Sequence, residues 1–247
     1  MIALFNLRHY DKFNLTLDKL KNLNANILYS DNLKILHGLF LYTNIINKHF
    51  IEGSFTDGTR IIGEIEKFLQ RNNSKIEEHR ILVLYYKMGC LCFGSGDNKG
   101  AIKYLNKIIQ SKQGELREDV HSFSRILNLI AHFELGNDEL VEYQVKSVYR
   151  YLRKMDDLQE VQKAILGFIR KLPQVKEENL KKEFVVLHDN LIRIASNPYE
   201  KRPFLYLDII SWLESKIDNS TVEEIAIQKF KKERSSGDAQ YFPVNKG

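Results

Sequence analysis

Apolar positions recur along most of the chain at steps of three and four, the spacing that gathers side chains onto one helix face. The densest pattern lies between residues 84 and 109, LYYKMGCLCFGSGDNKGAIKYLNKII. Its first half puts Tyr85, Met88, Gly89 and Cys92 on one stripe, and its second half does the same for Ala101, Leu105 and Ile108. Gly89 and Ala101 are the small members of these stripes, so the two helices can approach closely there. Gly96 offers the φ > 0 position and Asp97 the cap that reverse the chain between them. The pattern predicts a helical hairpin.

The same period extends in both directions. Tyr10 to Leu23 and Asp31 to Glu52 read as helices upstream. Downstream, Asp156 with Gln159 predicts a capping box that opens a helix running to about Leu172, where Pro173 ends it. Residues 176 to 196 carry Leu180, Phe184, Leu187, Leu191 and Ile194 on one face, and Asn197-Pro198 breaks that pattern. Residues 200 to 217 bring Phe204, Leu207, Ile210, Trp212 and Leu213, and a last helix from Thr221 to about Arg234 is expected to open on Ser220, with Glu223 three positions on. No segment alternates in the way a strand requires. The tail, residues 235 to 247, has no apolar period and is expected to be disordered.

The hairpin resembles a tetratricopeptide repeat, a unit of about 34 residues. The aromatic, the leucine-like and the small residue of the family's first helix fall on Tyr85, Met88 and Gly89, its turn glycine on Gly96 and its second-helix alanine on Ala101. The turn glycine recurs at Gly53 and Gly136, 43 positions before and 40 positions after Gly96. Ile46 and Leu129 stand where the small residue would be, and Gly58 and Val141 where the alanine would be, so these outer repeats are degenerate. The resemblance implies an all-α superhelix, a right-handed solenoid of about five helix pairs spanning residues 1 to 234. Its best repeat would be 84–112, with degenerate repeats at about 40–72 and 123–155 and a helical C-terminal part over 157–234. From about residue 35 to 234 the chain also looks like the C-terminal part of a group of uncharacterised bacterial helical-repeat proteins, which implies no activity.

Composition agrees with long helices: 4 prolines in 247 residues and 43% hydrophobic content. The two cysteines, Cys90 and Cys92, cannot build a disulfide framework and point to different helix faces, which suits a reducing compartment. No basic leader precedes the apolar residues of MIALFNLRHYDKF, and Ile81 to Phe93 contains Lys87 and is shorter than the ~18 residues of a membrane span. A cytoplasmic protein without a membrane anchor is expected.

The net charge of +5 is spread thinly, as +3, 0, 0, +1 and +1 over successive blocks of fifty residues with the last one shorter. Its sharpest cluster is Lys146, Arg150, Arg153 and Lys154, a basic stripe beside Tyr149 and Tyr151. A nucleic-acid interface on that stripe is the alternative to a solvated helix face.

Catalytic patterns are missing from the sequence. The 7 histidines are scattered, no HExxH occurs, and Cys90-x-Cys92 lacks the second pair a tetrahedral metal site needs. Gly94 to Gly100 superficially suggests a phosphate loop, but it follows a helix and lacks the Gly-Lys-Ser/Thr ending. The acidic starts at Glu77, Glu78 and at Asp156, Asp157 suit helix dipoles. Neither an enzyme nor a cofactor or metal is expected.

In a solenoid the first helices line the concave face. Off the intra-repeat stripe they offer Phe40, Thr43, Asn47 and Phe50, then Tyr86, Cys90 and Phe93, then Phe123, Ile126, Ile130 and Phe133. Some relatives of the family grip a peptide's terminal carboxylate with lysines and asparagines at such places, where this chain has Tyr86 and Cys90. An apolar, aromatic groove holding a partner helix or an extended apolar peptide is the expected function. The sequence leaves open whether that face is free or covered by the chain's own helices, who the partner is, and whether the chain self-associates.

Overall fold

The computed structural model describes residues 1–23, 29–111, 117–153, 160–196 and 208–236. Among these residues the chain is helical throughout, with no strand. We number the helices α1 (Ile2–Asn6), α2 (Tyr10–Lys21), α3 (Asp31–Glu52), α4 (Phe55–Thr59), α5 (Ile62–Asn72), α6 (Glu78–Gly94), α7 (Asn98–Ile109), α8 (Glu118–Glu134), α9 (Asp138–Leu152), α10 (Glu160–Lys171), α11 (Glu177–Ala195), α12 (Ile209–Asp218) and α13 (Val222–Ser236).

The central hairpin forms as its stripes require. Gly96 has φ +83°, and the Asp97 carboxylate accepts from the Gly100 amide at 2.9 Å, capping α7. A β-carbon on Gly89 would stand 3.1 Å from the Leu105 side chain, so the small residue sets how closely α6 and α7 pack. Ala101, Leu105 and Ile108 are fully buried against it. The turn glycines Gly53 and Gly136 share the left-handed conformation, at φ +70° and +68°. The hairpin of α8 and α9 repeats the arrangement with larger residues, Leu129 and Val141, inside.

The region of residues 40 to 72 departs from a simple hairpin, because its second half divides into the short α4 and the longer α5. Gly58 of α4 lies under Leu91 and His49, where a β-carbon would come within 2.7 Å of the leucine, and Gly38 of α3 lets Phe68 of α5 approach in the same way. The last capping box is one residue later than expected. Thr221, rather than Ser220, caps α13: its hydroxyl accepts from the Glu224 amide at 3.1 Å while the Glu224 carboxylate accepts from the Thr221 amide at 2.8 Å. That hydrogen bonding holds the Glu224 carboxyl below its ordinary range. Glu223 is thereby turned outward to Thr56, whose amide donates to it at 2.9 Å. The expected cap at Asp156 and Gln159, together with Phe204 and Leu207, lies outside the described residues. Helix α13 runs to Ser236, taking in the first two residues of the expected tail, and the remaining tail positions are outside the described residues as well.

One apolar core runs from Ile35 to Ala226 through the successive helices. A smaller cluster, Phe13, Leu17 and Ile51, seats α1 and α2 on α3 and includes Phe230 of α13 at its edge. Helix α13 therefore does not end a one-directional stack. It returns to the start of the chain, where Ala226 lies so close to Gly53 that a β-carbon there would stand 2.6 Å from the Ala226 backbone. This contact departs from the neighbour-only packing of an open array. No helix among the described residues is long and apolar enough to cross a membrane.

Candidate interaction site

The residues expected to line an open groove are brought together, but mostly inside the protein. Ile126 and Ile130 of α8 are 0% exposed, and Tyr86 and Phe93 of α6, Asn47 of α3 and Phe123 of α8 are also buried. Phe50, Cys90 and Phe133 are half-buried. The open-groove arrangement is thus corrected for these positions, and the covering elements explain it. Phe133 meets Phe184 of α11 and Trp212 of α12 edge-on, at 6.4 and 6.5 Å between ring centroids. At the other end, Phe50 faces Phe55 at 6.3 Å, and the ammonium of Lys87 sits between the Phe50 and Phe5 rings, 5.2 and 5.6 Å from their centroids. Helix α1 therefore covers one end of the face, and α11 with α12 the other.

Lys87 and the two cysteines share this interior. The Lys87 Nζ donates to Asn47 Oδ1 at 2.6 Å. Burial pulls its ammonium down to about 8, Cys90 opposes it, and the charge of Arg117 adds a still smaller effect in the direction of burial. Burial pushes both the Cys90 and Cys92 thiols up to about 12. Thiols so placed are poor nucleophiles and poor metal ligands. Among the described residues no group of three His, Cys, Asp or Glu side chains converges.

Phe40 is the exception among the expected residues. Its ring is 45% exposed on α3, on the same side as the exposed Leu36 one turn earlier. It lines a cavity of about 590 Å³ between α1, α2 and α3, together with Ile2, Ala3, Leu20 and Leu23, and with Thr16, Lys19 and Asn44 among its polar members. Ile2 is 70% exposed and Leu23 38%. Thr43 stays half-buried. The site forms because α2 spends one stripe on the core, Phe13 and Leu17 with Leu20 packed at its edge, and Leu20 together with Leu23, two residues past the helix, borders the opening. Lys19 at the rim has no carboxylate within ion-pair distance among the described residues. Of this lining only Phe40 was picked out by the sequence pattern. The signal for the rest was the run Thr16, Lys19, Leu20 and Leu23, which flanks one edge of the Phe13 and Leu17 stripe and shares Leu20 with it.

The basic stripe is exposed on α9. Lys146, Arg150 and Arg153 point to solvent beside Tyr143 and Tyr149, without an acidic partner among the described residues, and Arg153 lies 5.9 Å from the Tyr149 ring. Lys154 lies outside the described residues. No protein-family model matches this chain, and neither the curated proteins nor the solved structures hold a match to it.

Proposed function

We propose that this chain is a non-catalytic, cytoplasmic protein-interaction module of the tetratricopeptide-like kind, a superhelix of helix pairs, and that it binds the apolar face of a partner helix in the cleft between α1, α2 and α3. The observation that carries this reading is the exposed apolar lining of that cleft, Ile2, Leu23 and Phe40 around a cavity of about 590 Å³. Contiguous apolar surface of this kind is costly on a lone soluble chain and marks interaction sites. Insertion of a partner's apolar residues at helical spacing would use Phe40 and Leu20 as walls, and Lys19 suits an acidic residue beside the partner's apolar stripe. The interaction moves from the buried face of α6 and α8 to the outer side of α3, with Phe40 common to both.

The test is a quantitative comparison of proteins captured from the native host by the parent chain, Phe40→Glu and Leu23→Glu. Both positions are exposed, so the melting temperatures should stay within about a degree or two. A protein retained by the parent and lost with both variants supports the reading, and an identical set of captured proteins overturns it.

A second reading rests on the exposed basic and aromatic residues of α9 and its C-cap. Lys146, Arg150 and Arg153 would meet phosphates, with Tyr143 and Tyr149 available for stacking. Oligonucleotide binding that falls steeply with added salt and is lost in Lys146→Glu/Arg150→Glu would favour it over the first.

A further inference from the structure

Where α7, α8 and α9 meet, one guanidinium fastens all three helices. Arg125 of α8 donates at 3.5 Å to the carbonyl of Ile109, the last residue of α7, and its central carbon lies 3.8 Å from the ring centroid of Tyr151 near the end of α9. It also donates to the His121 carbonyl one turn back at 3.3 Å, and its Nη1 stands 3.5 Å from Nδ1 of the His121 ring. We propose that His121 and Arg125 form an acid-sensitive latch: protonation of His121 drives the guanidinium away and loosens the ends of α7 and α9 from α8.

Burial and hydrogen bonding fix the state of the ring at neutral pH. His121 is only 1% exposed. A guanidinium only donates, so Nδ1 must accept from it, and the one ring proton sits on Nε2. Nε2 is buried and has no partner among the described residues. A second proton would go to Nδ1, where it would point at the Arg125 N–H and set two cations side by side away from water. The contacts to Ile109 and Tyr151 belong to the same guanidinium, so its displacement would undo both together.

The surrounding charges leave this cation pair poorly compensated. Arg125 and Asp119 of α8 and Glu78 of α6 are the charged groups that face His121. Both carboxylates are already engaged: Asp119 accepts from Arg117 through two hydrogen bonds of 2.9 Å, and Glu78 accepts from the Ser111 hydroxyl at 2.8 Å. From α7 and α9 the groups at the guanidinium are the Ile109 carbonyl and the Tyr151 ring, neither of them charged at neutral pH. Burial first and the Arg125 charge second therefore hold the imidazole below its ordinary 6.5, with Asp119 and Glu78 opposing.

The sign follows by linkage. Once the helices part, the ring meets water and returns to about 6.5, so the open form takes up a proton before the closed form does as pH falls. The latch is at full strength above that value and weakens below it, in the range where histidine serves as a switch. Opening frees the last turn of α9, which carries Arg150. The cleft beside Phe40 is built from other helices, and the latch does not depend on the reading proposed for it.

Hydrogen exchange of the full chain, read at pH 7.5 and 5.0 and corrected for the intrinsic rates, tests the latch. Residues 103–110 and 145–153 report on it, and residues 209–218 of α12 serve as the reference for global opening. The opening equilibrium of both reporters should rise on the order of tenfold more than that of the reference at the lower pH. The excess should vanish in His121→Gln, with circular dichroism at pH 7.5 establishing its fold. It should persist in His49→Gln and His132→Gln, which remove two other histidines held below 6.5 by burial. If His121→Gln fails to fold, the NMR titration of the His121 ring in the parent decides, and a midpoint below 6.5 that coincides with the loss of reporter protection supports the latch. No excess in the parent, an equal excess in His121→Gln, or a ring that titrates at or above 6.5 would overturn the proposal.

Discussion

Arg8 and Glu233 form an ion pair at 2.9 Å although 225 positions separate them in the chain. The arginine also donates to the Ile51 carbonyl at 3.3 Å, so one guanidinium ties α13 to the segment between α1 and α2 and to the end of α3. Around it Tyr10 packs edge-on against Phe230 at 4.9 Å, and Arg234 reaches Asp11 at 3.0 Å. Helix α13 thus joins the beginning of the fold through charge, aromatic contact and the close approach at Gly53.

That approach can be isolated with two alanine substitutions. Gly53 and Gly136 have nearly the same positive φ, so alanine should incur a similar backbone penalty of about 1 kcal/mol at each. At Gly136 the added methyl meets open space, whereas at Gly53 it would lie 2.6 Å from the backbone of Ala226 and Ile227. Gly53→Ala should therefore destabilise the protein by roughly 1–3 kcal/mol more than Gly136→Ala, as overpacking does. Equal denaturant midpoints for the two variants would mean that α13 does not seat there.

The covered faces of α6 and α8 and the open side of α3 should respond oppositely to a carboxylate. Phe93→Glu and Ile130→Glu place an unpaired charge in the interior and should each cost several kcal/mol, enough to unfold a marginally stable protein. Phe40→Glu should leave the thermal melt nearly unchanged. Melts of the three variants check both halves of this contrast.

Lys87 gives the stability a measurable pH dependence. Its folded value of about 8 lies below the ordinary 10.5, so between those pH values the unfolded chain holds a proton that the folded chain has released. Stability from this residue therefore rises with pH across that window and is flat below it. A depression of this size corresponds to about 3 kcal/mol as an upper bound, since the side chain keeps partial solvent contact. In Lys87→Met the proton is absent. The difference in unfolding free energy between that variant and the parent should shift in the parent's favour from pH 8 to about 10.5, and a difference constant across this range would contradict the burial of the amine.

The thiols give a simpler readout. With Cys90 and Cys92 both pushed up to about 12, neither is appreciably ionised at pH 8, and the native protein should react only slowly with a disulfide reagent. Both should react at once in denaturant. A fast phase equal to one thiol in the native state would show that Cys90, the half-buried member, is more open than its surroundings indicate.

The local structure was legible in the sequence where one backbone or steric requirement admits few residues. Gly53, Gly96 and Gly136 mark left-handed turns because other residues are strained there, and Gly89 and Ala101 mark a close helix contact because nothing larger fits. The cap of α13 was legible only to within one residue, since Ser220 and Thr221 are both good caps and the choice depends on whether Glu223 or Glu224 turns back. Glu223 is drawn away by Thr56, a residue far off in the chain. The periodicity of α8 shows that Ile126 and Ile130 share a face but carries no information on what covers it. The covering rings, Phe184 and Trp212, come from helices whose own periods say only that they too have an apolar side. Phe40 belongs to the same kind of pattern, and nothing in its spacing separates it from the buried members.

The return of α13 to α2 and α3 changes how this protein should come apart. In a linear stack the outermost unit has one neighbour and melts first, so protection against hydrogen exchange grades from the ends to the middle. Here the two outer layers hold each other, through Arg8 with Glu233 and Thr56 with Glu223, and neither is free to unzip alone. Exchange protection in α2 and α13 should rise and fall together, and a Glu233→Ala substitution that loosens one should loosen the other to the same degree.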